Sequence, residues 1–189
     1  MLASLYTLKD SFNNQELFDT LNSILNLEDY FKWQGINKLL KNGDFLDEVF
    51  FYALPNSVNS SFIFRITAWD YEDIFKPPHS GNGFSNSLLY CNEEPFDVII
   101  AEDSVLYNSY KKTFKKELEQ DITASLLDEI ENDLNNTLVP LFNDSATGSI
   151  MNNFYSSGED AKTELENLIS DKINYIKSHR DSILQVLSQ

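Results

Sequence analysis

The spacing of apolar residues changes twice along this 189-residue chain, and those changes limit the folds that it can adopt. Residues 15–31 place apolar side chains at helical spacing behind Asn13 or Asn14, either of which is a suitable helix cap. Gly35 interrupts that pattern, and a short helical continuation ends at Asn42–Gly43. The first forty residues are therefore predicted to form a helical hairpin or a bent helix.

The middle of the chain has the spacing of β-strands. Residues 48–54 are rich in Val, Phe and Tyr, and residues 61–69 alternate in the manner of a strand. Two further strands are predicted over residues 85–91 and 96–102. Because short connections favour antiparallel neighbours, the expected sheet is a meander of about four strands.

The last third returns to helical spacing. One helix is predicted over residues 106–138, where Pro140 ends it, and another over residues 159–187. The small and polar residues 143–158 between them are predicted to be a mobile loop. The four lysines of the first helix lie near its predicted start, which is the unfavourable polarity for the helix dipole; they are Lys111, Lys112, Lys115 and Lys116.

Together these segments predict an α+β fold in which residues 1–189 form a single domain. The N-terminal helical hairpin spans residues 1–43, the antiparallel sheet spans 44–106, and residues 107–189 are helical. The two long C-terminal helices are expected to pack on the sheet, since runs of strands followed by runs of helices are typical of this class.

Charge excludes several functions. The chain carries 30 acidic and 14 basic residues, for a net charge of −16, which would repel nucleic acids and anionic membranes alike. Its 13% aromatic content separates it from disordered acidic chains, so we expect it to fold. Cys91 is alone and excludes an intrachain disulfide. With no signal peptide or apolar span, the expected location is the cytoplasm.

The acidic residues are densest over residues 61–106, which have a net charge of −6. Charge at such density steers a cationic partner, and aromatic side chains nearby supply affinity. The predicted docking face for a basic protein consists of Trp69, Asp70, Tyr71, Glu72, Asp73, Glu93, Glu94, Asp97, Glu102 and Asp103. The alternative is a solvated acidic surface whose aromatic residues lie in the core.

Residues that carry chemistry are scarce. Asp70–Asp73 lacks the alternate acids, central Gly and distal Glu of a Ca²⁺ loop, so we predict no metal site and no cofactor. His79 lies beside Ser80 in the only stretch dense in Gly and Pro, and Cys91 follows on a predicted strand. An enzyme or ligand-binding domain with its site near His79 and Cys91, with Glu102 as a further candidate, is the second hypothesis.

In general character the chain resembles the immunity proteins encoded beside bacterial toxins, including those of contact-dependent growth inhibition. DYED at 70–73 and NEEPFD at 92–97 are its acidic loops, although neither is a signature of that class. The resemblance implies a non-enzymatic antitoxin that covers the active site of a basic toxin nuclease with carboxylates in place of substrate phosphates. It implies nothing about fold, and the oligomeric state stays open.

Overall fold

Helices dominate the computed structural model, in which 77% of the described residues are helical. The structure describes residues 12–43, 49–55, 62–68, 73–76, 88–89, 95–154 and 161–189. Over these ranges the chain divides into two units, Met1–Glu117 and Leu118–Gln189.

The described part of the first unit contains four α-helices and one β-hairpin. The helices are α1 (Asn14–Ile24), α2 (Leu27–Leu40), α3 (Pro95–Glu102) and α4 (Ser104–Lys116), and the strands are β1 (Val49–Pro55) and β2 (Phe62–Ala68). A π-helical segment follows at Glu117–Asp121. The described part of the second unit contains α5 (Ala124–Leu138), a 3₁₀ turn (Val139–Asn143), α6 (Ser145–Phe154) and α7 (Ala161–Leu187).

The N-terminal helices break earlier than the sequence predicted. Asn13 caps α1 in a capping box with Glu16, as one of the two predicted caps. The break comes at Leu25–Asn26, where Leu25 is extended and the Asn26 amide donates to the carbonyl of Phe64 at 2.8 Å. The Asn26 side chain then caps α2. Gly35 lies inside α2, so the predicted interruption at this glycine was wrong.

The hairpin predicted from residues 48–54 and 61–69 is confirmed as strands β1 and β2. β1 and β2 pair antiparallel, with Phe51 opposite Ile66 and Tyr52 opposite Arg65. Most large side chains of β1 stay exposed, while Ile66 of β2 is buried. The hairpin is the only sheet among the described residues.

The prediction of an α+β fold with about four strands was wrong. Residues 96–102, predicted to be a strand, belong to helix α3, in which Phe96, Ile99 and Ile100 are buried at helical spacing. Of the strand predicted over residues 85–91, the structure describes Leu88 and Leu89 alone. They form a buried bend, where the Tyr110 hydroxyl donates to the carbonyl of Leu88 at 2.9 Å.

The long helix predicted over residues 106–138 is two helices. α4 ends at Lys116, the π-helical segment follows, and Thr123 caps the new helix α5. Lys115 and Lys116 therefore lie in the last turn of α4, where a positive charge is favourable. The break thus removes the unfavourable polarity inferred from sequence.

The described part of the second unit contains helices and no strand. Its buried residues come mainly from one face of α7, which is close to the predicted helix 159–187; they are Ala161, Ile169, Ile173, Ile176 and Ile183. Leu127 of α5 is buried as well. Residues 145–154, predicted to belong to a mobile loop, form α6. At its N-terminus, the Asp144 carboxylate accepts a hydrogen bond from the Thr147 amide at 2.8 Å.

Candidate functional site

An open groove of about 560 Å³ lies between α2 and the hairpin of the first unit. Most of its lining is apolar, and its charged groups are one carboxylate and two cations. α2 contributes Asp29, Lys32, Trp33, Ile36 and Leu40, β1 contributes Tyr52, and β2 contributes Arg65, Ile66 and Ala68.

Helical spacing explains why α2 presents these side chains together. Residues 29, 32, 33, 36 and 40 follow one another at intervals of one, three or four, so they share a face of the helix. The pairing of Tyr52 with Arg65 places an aromatic ring and a guanidinium side by side on the hairpin. Apolar wall and charge thus meet in one concave surface, which is the usual composition of a ligand site.

An ion pair joins β2 to α2 across the groove. The Nε atom of Arg65 donates to Oδ2 of Asp29 at 2.5 Å. This hydrogen bond, together with the negative charge of Asp29, raises the pKa of Arg65 above its usual value. The Arg65 side chain is 38% exposed, so its remaining N–H groups can reach a ligand in the groove.

Further cations lie along α2. Lys32 pairs with Glu28 one turn earlier at 3.2 Å and lines the groove. Lys38 lies further along the helix. Partial burial is the main cause that lowers the pKa of its ammonium, and repulsion from Lys41 is the smaller cause. Two cations, Lys32 of α2 and Arg65 of β2, therefore line this groove of a strongly acidic protein.

A buried polar network supports the opposite side of α2. Asp97 of α3 is fully buried and accepts hydrogen bonds from the Tyr30 hydroxyl at 2.8 Å and from the Gln34 amide at 2.6 Å. These bonds hold α2 against α3, since a buried carboxylate is tolerated only with donors around it. The groove wall is thus held by a fixed scaffold.

The helix α4 packs closely against another face of α2, the one that carries Gly35. The ring of Phe114 lies against Gly35, and Tyr110 stacks on Phe114 with ring centroids 5.7 Å apart. Tyr110 is completely buried, and this burial, with the nearby Tyr107, Asp97 and Glu117, raises the pKa of its hydroxyl well above the usual 10.0. The stacked rings of Tyr110 and Phe114 fix the position of α2 relative to α4.

Most of the acidic face predicted from sequence lies outside the described residues: Trp69, Asp70, Tyr71, Glu72, Glu93 and Glu94. His79, Ser80 and Cys91 lie outside them too. Asp73, Asp97 and Asp103 are described and buried. Glu102 is exposed at the end of α3.

The three buried carboxylates have structural partners. Asp73 forms an ion pair with Lys76. Asp97 belongs to the network with Tyr30 and Gln34. Asp103 caps α4 by accepting from the amides of Val105 and Leu106, each at 2.9 Å. These carboxylates therefore stabilise the first unit from within.

Sequence reasoning missed the groove. Asp29 and Arg65 are 36 positions apart and belong to different elements. The signal that was present is the rarity of arginine: Arg65 is one of two in the chain, and it interrupts an apolar strand. A charged residue within such a strand indicates a partner or a ligand.

The described residues carry neither a metal cluster nor a membrane span. Among the described residues, no three His, Cys, Asp or Glu side chains come together in a group that could hold a metal ion. No helix in the described ranges has the length and apolar character needed to cross a membrane.

Comparison with known proteins identifies the family. The chain presents a groove in which a strand cation is paired with a helix carboxylate. The family model described as CotH kinase protein matches residues 1–181, so this chain belongs to that family. No curated protein and no solved structure matches the chain.

This membership corrects the resemblance drawn from composition. The chain is not identified as a toxin-immunity protein, and the interpretation as an antitoxin or inhibitor in contact-dependent growth inhibition was wrong. The error came from overall acidity, which many unrelated classes share. The second hypothesis, an enzyme or ligand-binding domain, agrees better with a kinase family.

Proposed function

We propose that the protein is a phosphotransferase of the kinase type and that the groove between α2 and the hairpin receives the nucleotide. The observation that carries this proposal is the family match over residues 1–181. The groove joins an apolar wall to two cations, Lys32 and Arg65, that can bind phosphate.

The ion pair between Arg65 and Asp29 supports the choice of this groove. In protein kinases a strand lysine that binds the nucleotide phosphates is held by a glutamate on a neighbouring helix. Here a strand arginine is held by a helix aspartate at 2.5 Å. The likeness is one of arrangement, and it assigns Arg65 to phosphate binding and Asp29 to holding the guanidinium in position.

The rest of the lining suits the other parts of a nucleotide. Ile36, Leu40 and Ile66 offer apolar contacts for a base, and Tyr52 and Trp33 bring aromatic rings to the same surface. Lys32 adds a second positive charge on the side of Asp29. Guanidinium and ammonium groups bind phosphate oxygens through charge-assisted hydrogen bonds, which are roughly twice as strong as neutral ones.

Kinases bind their nucleotide with Mg²⁺, which neutralises charge on the transferred phosphoryl group. The described residues include no cluster of three potential ligands for such an ion. No metal-dependent step is therefore assigned to them, and their part in this proposal is to bind and orient the nucleotide.

Isothermal titration calorimetry of ATP binding to the purified protein tests whether the groove receives the nucleotide. Arg65→Ala should weaken ATP binding at least about tenfold, equal to about 1.4 kcal/mol, because it removes a charge-assisted hydrogen bond to phosphate. Arg65→Lys should retain part of the affinity, since it keeps the charge and loses the fork of donors.

Lys162→Ala is the matched control, because Lys162 is a partly exposed cation of α7 in the second unit. It should leave ATP affinity unchanged. Wild-type protein that binds no ATP would overturn the nucleotide proposal. Equal ATP affinity in wild type and in correctly folded Arg65→Ala, checked by circular dichroism, would remove the groove from it.

A further inference from the structure

A row of exposed apolar side chains runs along α5 in the second unit. Leu126, Ile130 and Leu134 are 37%, 38% and 36% exposed, although helices of a packed unit normally bury such residues. They are four positions apart, so they lie within about 80° of one another and extend for about 12 Å along the helix. We call these three residues the α5 stripe.

The stripe lies beside the contact between α5 and α7. On the α7 side, Leu127 is buried, and Lys177 of α7 bonds Asp128 at 2.6 Å and Glu131 at 3.4 Å. Around the helix axis, Leu126 lies about 100° from the buried Leu127, so it points away from α7. Leu134, at the other end of the stripe, lies nearer to the contact with α7. The stripe therefore forms the open shoulder of a helix pair, where a third helix could pack.

Carboxylates flank the outer side of the stripe. Glu129 and Asp133 are exposed and lie within about 60° of Leu126. The structure places no described cation in an ion pair with either of them, and Lys177 pairs instead with Asp128 and Glu131. α5 contains four acidic residues and no basic one, and residues 118–189 contain thirteen acidic residues against four basic ones.

We propose that the α5 stripe is a docking site for a basic amphipathic helix of another protein. Leu126, Ile130 and Leu134 would receive apolar side chains at successive turns, as in helix-in-groove recognition. Glu129 and Asp133 would face Lys or Arg beside that apolar face. The charge at this site is complementary to such a helix and gives it selectivity.

Charge also decides against a second copy of this chain as the occupant. Pairing of two α5 stripes would bring Glu129 and Asp133 close to the same carboxylates of the other copy. Like charges at short distance oppose association, most strongly at low salt. The surface inferred here is separate from the groove, so it does not depend on the proposed kinase activity.

Fluorescence anisotropy with a labelled synthetic peptide tests this inference on the full chain. The probe is a helical peptide of about 18 residues, or roughly five turns, with Leu every three or four positions and Lys beside them. A second peptide has Glu in place of each Lys, and a third has the basic composition in scrambled order.

The expected result is binding of the basic helix alone, weaker at about 500 mM than at about 50 mM NaCl because salt screens the charges. The double variant Glu129→Lys with Asp133→Lys should weaken binding at least about tenfold. Ile130→Ser should weaken it as well, through lost apolar contact. Asp121→Lys with Asp171→Lys makes the same change in net charge elsewhere in the second unit and should have little effect.

Three outcomes would overturn the inference. The first is that the basic helix binds no tighter than the scrambled peptide. The second is that the control pair weakens binding as much as Glu129→Lys with Asp133→Lys. The third is that no peptide binds. Light scattering tests the remaining alternative, because it measures the molar mass in solution. A dimer that is lost in Ile130→Ser would show that a second copy occupies the stripe. Circular dichroism of each variant confirms that α5 is still folded.

Discussion

Gly35 shows how one missing side chain determines the packing of the first unit. An added Cβ at this position would lie 2.5 Å from Cδ2 and 2.9 Å from Cε2 of Phe114. Phe114 is fully buried, so its ring has little room to move aside. The sequence pattern treated Gly35 as a helix breaker, whereas the structure uses it for close approach of α4 to α2.

Gly35→Ala should therefore destabilise the protein. Alanine inside a helix normally stabilises by about 0.5–1 kcal/mol relative to glycine. Here the overpacking against Phe114 should reverse that sign and lower the free energy of unfolding by about 1–3 kcal/mol. Urea denaturation measures the difference.

The matching control removes the clash from the other side. In a background of Phe114→Leu, which has a smaller side chain, the added cost of Gly35→Ala should shrink or change sign. A single variant Gly35→Ala as stable as the wild type would show that α2 and α4 are not packed as described.

At the scale of elements, the break between α4 and α5 has a specific partner in α7. Arg180 donates through Nε to the carbonyl of Ile122 at 2.6 Å and through Nη2 to that of Leu118 at 2.8 Å. Helix ends leave carbonyl groups without helical partners. The guanidinium satisfies two of them, and its positive charge suits the C-terminal end of a helical segment.

Arg180→Ala should lower the free energy of unfolding by about 1.5–3 kcal/mol, the range for hydrogen bonds to charged groups. Arg180→Lys should recover a part of that loss, because it keeps the charge and loses the two-pronged geometry. Asp181→Ala is the control, since the exposed Asp181 contacts the outer nitrogen Nη1. Stability of Arg180→Ala equal to that of Asp181→Ala would contradict this role.

Elements differed in how far sequence could predict them. The capped start of α1, the hairpin and α7 follow from local signals: a capping box, alternation, and apolar residues at helical spacing. The short apolar run that became α3 fits a strand or a helix equally well by periodicity. Tertiary contacts determine that it is a helix, since Phe96, Ile99 and Ile100 are all buried.

The break in the predicted long helix is ambiguous in the sequence for a related reason. Apolar residues recur every four positions from Phe114 to Leu134, which describes one winding stripe as well as two helices. Thr123 was the available signal, because its hydroxyl caps α5 by accepting from the amide of Leu126 at 3.1 Å. The favourable placement of Lys115 and Lys116 follows from that break.

For the whole molecule, acidity was a poor guide to function. Two of the carboxylates that suggested a docking face have other roles: Asp97 binds buried donors, and Asp103 caps α4. The candidate groove depends instead on a pair, Arg65 and Asp29, that the fold brings together from distant positions. No local pattern encodes such a pair, so the rare Arg65 within an apolar strand is the one hint that the sequence offers.

Hydrogen exchange read by mass spectrometry, with and without ATP, tests the central claim over all of the chain at once. Binding in the groove should slow exchange in α2 and in the strands β1 and β2, where the lining residues lie. Exchange in α7, in the other unit, should stay unchanged. Protection of α7 without protection of α2 and the hairpin would contradict the account, and so would ATP that protects no segment.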